Sequence, residues 1–231
     1  MKFDTVIFDF DSTLVQIETL DYLIEIANGD HVEIRKKIKE ISAKNVRLYR
    51  DFDNNSKIIE FYDSLIKRMK LAKMHRDQEK KVIDFVDTMM SEGCVDLVKE
   101  LQTKGVDIYI ISGGFLSLIY PTSDKLEISR EKVFANEFLY NKDGYISGFD
   151  IYNPLTSYEG KIKVIEGIQK SGKNLGKIAM VGDGFSDWEV GEKMKEVVYC
   201  GYGINIVRED IKKNSQHFFT KTQDLREFLM S

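Results

Sequence analysis

The sequence predicts an α/β protein: a doubly wound, mostly parallel sheet (Rossmann-like) with an inserted α-helical cap subdomain. Three short apolar runs, each followed by small or acidic residues, predict buried parallel strands at 5–8, 106–111 and 177–181. Helical patterns that end at Gly105 and Gly172 precede the second and third runs, and this alternation is typical of a parallel sheet. Ligands of such sheets bind beyond the carboxyl ends of the strands, where the polar residues of all three runs lie.

A long helical stretch separates the first predicted strand from the second. Apolar residues recur at helical spacing across residues 16–90, and this connection is too long for one crossover helix. We therefore expect a core domain formed by residues 1–15 and 91–231, with residues 16–90 as a helical cap over the strand ends. Basic residues outnumber acidic ones over 31–81, which suits either a surface that attracts an anion or ordinary solvated helix faces.

The composition argues against several functional classes. The chain has 231 residues, a net charge of -4 and a pI near 5.6, so we expect no nucleic-acid partner. It has no apolar run long enough to span a membrane, and neither a membrane partner nor a secretion signal is expected. Two cysteines are too few for a disulfide framework and favour a cytoplasmic protein. The three histidines form no zinc or nucleophile-activating pattern, so the chemistry is expected to rest on carboxylates.

Asp9 and Asp11 follow the first strand in the sequence Asp-Phe-Asp-Ser-Thr-Leu. Two carboxylates this close repel each other unless a cation lies between them, and such oxygen ligands suit Mg²⁺ better than zinc. Asp183, at the end of the third strand, can supply another carboxylate to the same ion. One carboxylate can then attack phosphorus while the other protonates the leaving alkoxide. Taken alone, such a pair more often marks a strand-end turn followed by a helix cap.

Three further groups suit a phosphoryl site. Ser112 and Gly113 follow the second strand, and a hydroxyl beside open backbone N–H groups can hydrogen-bond phosphoryl oxygens. Lys161, near the start of a predicted helix, can balance the charge of a nucleophile and hold the transferring group. Asp183 and Asp187 flank a turn at a strand end. In isolation, each group also fits an ordinary turn, helix cap or surface residue.

The order of these groups along the chain resembles the haloacid dehalogenase-like hydrolase superfamily and, within it, the phosphoserine phosphatase family. The resemblance implies a phosphomonoester hydrolase that works through an aspartyl-phosphate, with Asp9 as the nucleophile and Asp11 as the general acid and base. It gives catalytic roles to Ser112 and Lys161 as well. The motifs extend from residue 9 to residue 187, which is most of the chain.

The same resemblance implies Mg²⁺ as the cofactor. The expected ligands are Asp9, the backbone carbonyl of Asp11, and Asp183, with Asp187 acting from behind them. The chain departs from the family at one position of this motif, because Ser186 stands where asparagine is usual.

Glu18 and Arg68 carry the substrate prediction. Phosphoserine has a carboxylate and an ammonium beside its phosphate, so a selective site offers one cation and one anion. In phosphoserine phosphatases these are a cap arginine and a glutamate after the first motif, and Arg68 and Glu18 match those positions. With Ser112, Gly113 and Lys161 on the phosphate, they complete the substrate site that the resemblance implies. Equally, Glu18 suits a helix start and Arg68 a solvated helix face.

The expected partner is thus a small phosphorylated metabolite, with phosphoserine as the first choice. The alternatives are another small phosphomonoester such as phosphoethanolamine, a catalytically silent phosphate-binding protein, and a nucleotide-binding α/β protein. The last lacks a complete dinucleotide or P-loop fingerprint. The sequence leaves a homodimer open.

Overall fold

A computed structural model of the protein describes residues 2–29, 31–48 and 54–231, with side chains described outside 42–61. Six parallel strands form one sheet in the order β3-β2-β1-β6-β7-β8, and β4 and β5 form a separate antiparallel hairpin. The strands are β1 (Thr5–Phe8), β2 (Asp107–Phe115), β3 (Val133–Asn136), β4 (Phe138–Tyr140), β5 (Ile146–Phe149), β6 (Ile178–Gly182), β7 (Val197–Tyr202) and β8 (Phe218–Phe219). The predicted doubly wound parallel sheet is confirmed.

Ten α-helices lie in the described part of the chain. Four of them lie within residues 16–90, the predicted cap: α1 (Thr19–Asn28), α2 (His31–Leu48), α3 (Asn54–Met69) and α4 (Arg76–Val86). The others flank or follow strands of the sheet: α5 (Cys94–Thr103), α6 (Leu116–Lys125), α7 (Gly160–Lys170), α8 (Phe185–Lys193), α9 (Glu209–Asn214) and α10 (Thr222–Met230). None of the described helices combines the length and the apolar character that a membrane-spanning segment needs.

The alternation of side chains along β1 explains why helices cover both faces of the sheet. Val6 and Phe8 belong to the apolar cluster that includes Leu97 of α5, whereas Ile7 belongs to the cluster that includes Ile165 of α7. All five side chains are fully buried. Successive residues of a strand point to opposite faces, and each such burial contributes about 1.5–3 kcal/mol. A strand whose side chains are buried on both faces therefore requires a cover on either side.

Two predicted boundaries differ from the structure. Strand β2 continues through the serine and glycines that were expected to follow it, and it ends at Phe115. Helix α4 ends at Val86, so Met90, whose spacing suggested helix, instead forms a bridge to Val15. This bridge brings together the two ends of the predicted cap, residues 16–90, although the boundaries of the cap stay a prediction.

The β4–β5 hairpin contacts α3, α4 and the segment that joins them. The backbone N–H of Ile146 donates to the carbonyl of Met74 at 3.0 Å, and the Tyr140 hydroxyl donates to the buried carboxylate of Glu79 at 2.6 Å. The ring of Phe149 packs edge-on against Tyr62 of α3. The hairpin thus joins the sheet side of the molecule to α3 and α4.

Candidate active site

An irregular turn over Phe10–Leu14 follows β1 and carries the first acidic motif. Within it Ser12 has a φ of 56°, which is uncommon for a residue with a side chain. Its N–H donates to the carbonyl of Ile17 at 3.2 Å, and its hydroxyl donates to Glu18 at 2.8 Å. The side-chain amide of Asn205 donates to the Ser12 carbonyl at 3.0 Å. These bonds hold the turn in one conformation and so fix the two acidic side chains around it.

Lys161 lies between two carboxylates. Its Nζ is 3.0 Å from Asp9 and 2.5 Å from Asp187, and the second Asp187 oxygen accepts the N–H of Gly184 at 3.0 Å. Burial opposes the charged ammonium, but Asp187 and Asp9 outweigh it and raise the pKa of Lys161. Burial also raises the pKa of Asp187 to about 7, against the effect of Lys161. Lys161 is therefore charged, and its ion pair with Asp187 holds it beside Asp9.

Three carboxylates converge at the ends of β1 and β6. Oxygens of Asp9, Asp183 and Asp187 all lie within 4.8 Å of one another. Burial raises the pKa of Asp183 to about 6, although the guanidinium of Arg208, 2.8 Å away, acts in the opposite direction. Thr13 donates to the other oxygen of Asp183 at 3.4 Å. Carboxylate oxygens this close repel one another unless a cation lies between them, and oxygen ligands suit a hard divalent cation such as Mg²⁺.

Asp11 lies over the glycines that follow Ser112. One of its oxygens accepts the N–H of Thr19 at 3.1 Å, and a Cβ on Gly114 would lie 3.1 Å from the other. The N–H of Gly114 donates to the Ser112 hydroxyl at 3.1 Å. Burial and then the nearby charge of Glu18 raise the pKa of Asp11 well above its usual value. A raised pKa favours the protonated form that a general acid needs.

Asn136, at the end of β3, connects two parts of the site. Its fully buried side-chain amide donates to the carbonyls of Gly113 at 2.9 Å and Leu155 at 3.2 Å. The neighbouring Pro154 carbonyl lies against Gly160, where a Cβ would approach it to 2.2 Å. Asn136 therefore positions the glycine loop and, through residues 154–155, the first turn of the helix that carries Lys161.

Arg68 and Glu18 reach the same cavity but have partners of their own. Arg68 lies 2.9 Å from Asp21, and its Nε is buried without a hydrogen-bond partner among the described residues. Burial raises the pKa of Asp21, while Arg68 acts to lower it. Glu18 accepts the Ser12 hydroxyl and lies 3.9 Å from Arg208.

One cavity of about 590 Å³ brings the predicted site residues together. It is lined by most of them: Asp9, Asp11, Glu18, Arg68, Ser112, Gly113, Lys161 and Asp183. Asp187 does not line the cavity; its side chain is fully buried and forms an ion pair with Lys161. Residues predicted from separate segments of the sequence thus surround a single space.

Comparison with known proteins assigns the family. A model of the haloacid dehalogenase-like hydrolases matches residues 6–192. The chain belongs to this family. The phosphoserine phosphatase of Rattus norvegicus is 30% identical to this hydrolase over 222 residues, which cover 96% of the chain and 91% of the rat protein.

Two solved structures are similar to this hydrolase. A phosphoserine phosphohydrolase-like protein from Francisella tularensis has a TM-score of 0.83 at 28% identity, covering 98% of this chain and 99% of its own. A phospho-aspartyl intermediate analogue of phosphoserine phosphatase has a TM-score of 0.73 at 25% identity, covering 100% and 99%. The hydrolase is a phosphatase that resembles phosphoserine phosphatase.

Sequence reasoning missed three residues of this hydrolase that bear on the site. Arg208 and Asn205 lie in the segment after β7, a strand that is not among the three predicted from the sequence. Strand β7 pairs with β6, so its following loop reaches the same edge of the sheet as Asp183. Asn136 stands in Phe134-Ala-Asn, a segment that resembles the phosphatase family, but its hydrogen bonds to the glycine loop could be seen only in three dimensions.

Proposed function

We propose that this hydrolase is a Mg²⁺-dependent phosphomonoesterase that converts phosphoserine to serine and phosphate through an aspartyl-phosphate on Asp9. The observation that carries the proposal is the position of Asp9, which faces Lys161 at 3.0 Å and shares a cavity with Ser112 and Asp183. A nucleophilic carboxylate, a fixed cation and a hydroxyl beside open backbone are the groups that phosphoryl transfer needs.

In the first half-reaction, a carboxylate oxygen of Asp9 attacks phosphorus and the bond from phosphorus to the serine oxygen breaks. Lys161, the Ser112 hydroxyl and the backbone N–H of Gly113 hold the phosphoryl oxygens. Asp11, whose pKa burial raises, donates its proton to the departing serine oxygen. The products of this step are free serine and a phosphorylated Asp9.

The second half-reaction releases phosphate. Asp11, now ionised, accepts a proton from a water molecule, and the water oxygen attacks phosphorus. The bond between phosphorus and the Asp9 oxygen breaks, which regenerates the carboxylate. The solved phospho-aspartyl intermediate analogue of phosphoserine phosphatase supports this order of events.

Mg²⁺ fits the carboxylates at the ends of β1 and β6. Asp9 and Asp183 would hold it together with the backbone carbonyl of Asp11, and Asp187 would orient Lys161 from behind. Oxygens of Asp9 and Asp183 lie within 4.8 Å of each other, which supports these two as ligands of one ion. When bound, the ion neutralises charge as a phosphate dianion approaches an anionic nucleophile.

The substrate assignment rests on Arg68 and Glu18. Arg68 lines the cavity, where its guanidinium offers a cation to a substrate carboxylate. Glu18 lines the same cavity and offers a carboxylate to the substrate ammonium. The rat relative named phosphoserine phosphatase, which aligns with 96% of the chain, supports the same substrate.

We further propose that the substrate is a free metabolite in the cytoplasm and that neither nucleic acid nor a membrane is a partner. The net charge of -4 supports the first exclusion. Cys94 and Cys200 are both free and buried, as expected for a protein of a reducing compartment.

A phosphate-release screen over small phosphomonoesters tests the proposal. Each ester is assayed with Mg²⁺, with Ca²⁺ and with chelator. We expect phosphoserine to give the highest kcat/KM, chelator to abolish release, and Ca²⁺ to fail to restore it because Ca²⁺ prefers more ligands in a looser geometry. Full activity in chelator would refute the metal, and a better substrate without a carboxylate would refute phosphoserine.

A further inference from the structure

The cavity extends along an aromatic wall that the reaction with phosphoserine does not use. Tyr158, Phe185 and Trp188, here called the aromatic arm, all line it and are partly exposed. The Tyr158 and Phe185 rings meet edge-on at 6.5 Å, and the Phe185 and Trp188 rings are tilted by 58° at 4.9 Å. The indole N–H of Trp188 donates to the Asn214 carbonyl at 3.4 Å, which helps to fix the ring.

Two residues of the aromatic arm are close in sequence to residues of the proposed phosphate and Mg²⁺ site. Tyr158 precedes Lys161 by three residues, and Phe185 follows Asp183 by two. A volume of about 590 Å³ lies in the range of pockets that enclose drug-sized ligands. Serine is much smaller, and its proposed anchors lie outside the arm, because Glu18 directly precedes α1 and Arg68 lies in α3. The cavity therefore has room for a second kind of leaving group.

The charges around the cavity favour a cation there. Among the described lining residues, six are acidic and three are basic. All three basic side chains already pair with carboxylates: Arg68 with Asp21, Lys161 with Asp9 and Asp187, and Arg208 with Asp183. Two of the acids, Glu209 and Asp210, are exposed at the start of α9 and line the same cavity as the arm. Aromatic faces flanked by carboxylates attract a weakly hydrated alkylammonium group.

We propose that the aromatic arm, with Glu209 and Asp210, binds the alkylammonium group of a second substrate class, the phosphomonoesters of amino alcohols, for which phosphocholine is the probe. The proposal rests on the proposed function, since both substrates place their phosphate at Asp9. Phosphocholine has no carboxylate for Arg68, so the arm supplies its anchor instead. The bond from phosphorus to the choline oxygen breaks, Asp11 protonates that oxygen, and water later releases phosphate from Asp9.

Kinetics on a matched pair of esters test the role of the charge. Phosphocholine and 3,3-dimethylbutyl phosphate have nearly the same shape, but only the first is cationic. We expect kcat/KM for phosphocholine to exceed that for the neutral ester by about tenfold, the scale of a desolvated cation–π contact. Trp188→Leu and Tyr158→Leu should remove this preference and should lower phosphocholine turnover far more than phosphoserine turnover.

Binding provides a second readout, because Trp188 is the only tryptophan of the chain. In an Asp9→Asn background, phosphocholine should change the tryptophan fluorescence saturably, and the neutral ester should do so about tenfold more weakly. This titration does not depend on turnover, so it decides the inference even if Leu at position 188 impairs folding.

The outcomes separate the inference from the proposed function. Equal kcat/KM values for the charged and neutral esters overturn the inference, as does an enzyme that hydrolyses phosphoserine but neither hydrolyses nor binds phosphocholine. Better hydrolysis of p-nitrophenyl phosphate than of phosphocholine, lost in Trp188→Leu, shows a site for an aryl ring and also overturns it. Absence of phosphoserine hydrolysis defeats the proposed function alone, and the fluorescence titration still decides the arm.

Discussion

Arg208 places its Nε 2.8 Å from a carboxylate oxygen of Asp183. Asp183 is almost completely buried, with 3% of its side chain exposed, whereas Arg208 retains 40% exposure. The guanidinium therefore offsets part of the burial that raises the pKa of Asp183. Mg²⁺ at the same carboxylate would be a second cation, so Arg208 and the ion are expected to compete for its charge.

This competition predicts the behaviour of Arg208→Gln. Without the guanidinium, a buried carboxylate loses a charge-assisted hydrogen bond, and the free energy of unfolding in chelator should fall by about 1–3 kcal/mol. The stabilisation gained on adding Mg²⁺ should be larger than in the unmodified protein. Thermal unfolding in chelator and in Mg²⁺ measures both effects. Lys212→Gln removes the same charge from exposed α9 and should change neither; an equal response would assign the effect to net charge.

Asp9→Asn should abolish turnover while the fold persists. The amide has nearly the same shape but cannot attack phosphorus, and it binds a cation poorly. Circular dichroism checks that the fold persists, and phosphate release from phosphoserine measures turnover. Phosphatase activity well above background, in protein shown by mass spectrometry to be free of deamidation, would sink the mechanism.

Asp11→Asn should slow phosphoenzyme formation and breakdown but affect phosphate binding less. General acid–base assistance is worth about 10²–10⁴-fold, and a loss of that size is expected in single-turnover experiments. An activated ester such as p-nitrophenyl phosphate needs less help in its departure, so its first step should suffer less. Unchanged single-turnover rates on phosphoserine would remove Asp11 from this role.

Arg68→Ala should depress kcat/KM for phosphoserine about ten- to a hundredfold, because a charge-assisted hydrogen bond contributes about 1.5–3 kcal/mol. A carboxylate-free ester such as phosphoethanolamine should lose far less. Lys67→Ala is the matched control, since Lys67 is an exposed neighbour on α3 that pairs with Asp63. Equal losses on both esters would make Arg68 a structural residue, given its pairing with Asp21.

Asn136→Ala should weaken phosphate binding, because it frees the Gly113 carbonyl that orients the glycine loop. We expect the inhibition constant of inorganic phosphate to rise about tenfold and stability to fall by about 1–3 kcal/mol, since buried carbonyls lose their donor. Gln102→Ala removes amide–carbonyl bonds to Leu126 and Glu127 away from the cavity, so it should affect stability but not phosphate inhibition. Similar inhibition constants in both variants would contradict the positioning role.

The convergence of most candidate site residues could be predicted because these residues follow buried strands. Asp9 and Asp183 end neighbouring strands β1 and β6, and parallel strands end at one edge of the sheet. Arg208 escaped prediction because its position depends on the pairing of β6 with β7, which no local pattern encodes. The partner of Arg68 escaped for the same reason: Asp21 and Arg68 are far apart in sequence and meet through the packing of α1 and α3.

The contacts between the β4–β5 hairpin and α4 bear on how such an enzyme can diversify. Met74 and Glu79 lie between β1 and β2 in the sequence, whereas their partners Ile146 and Tyr140 lie after β3. Two separate stretches of sequence therefore form one packing interface, and substitutions on one side require matching substitutions on the other. A chimera that imports only residues 16–90 from another hydrolase would bring in a surface that the resident hairpin does not match. Grafting 138–149 along with the helices would carry the complementary surface as well.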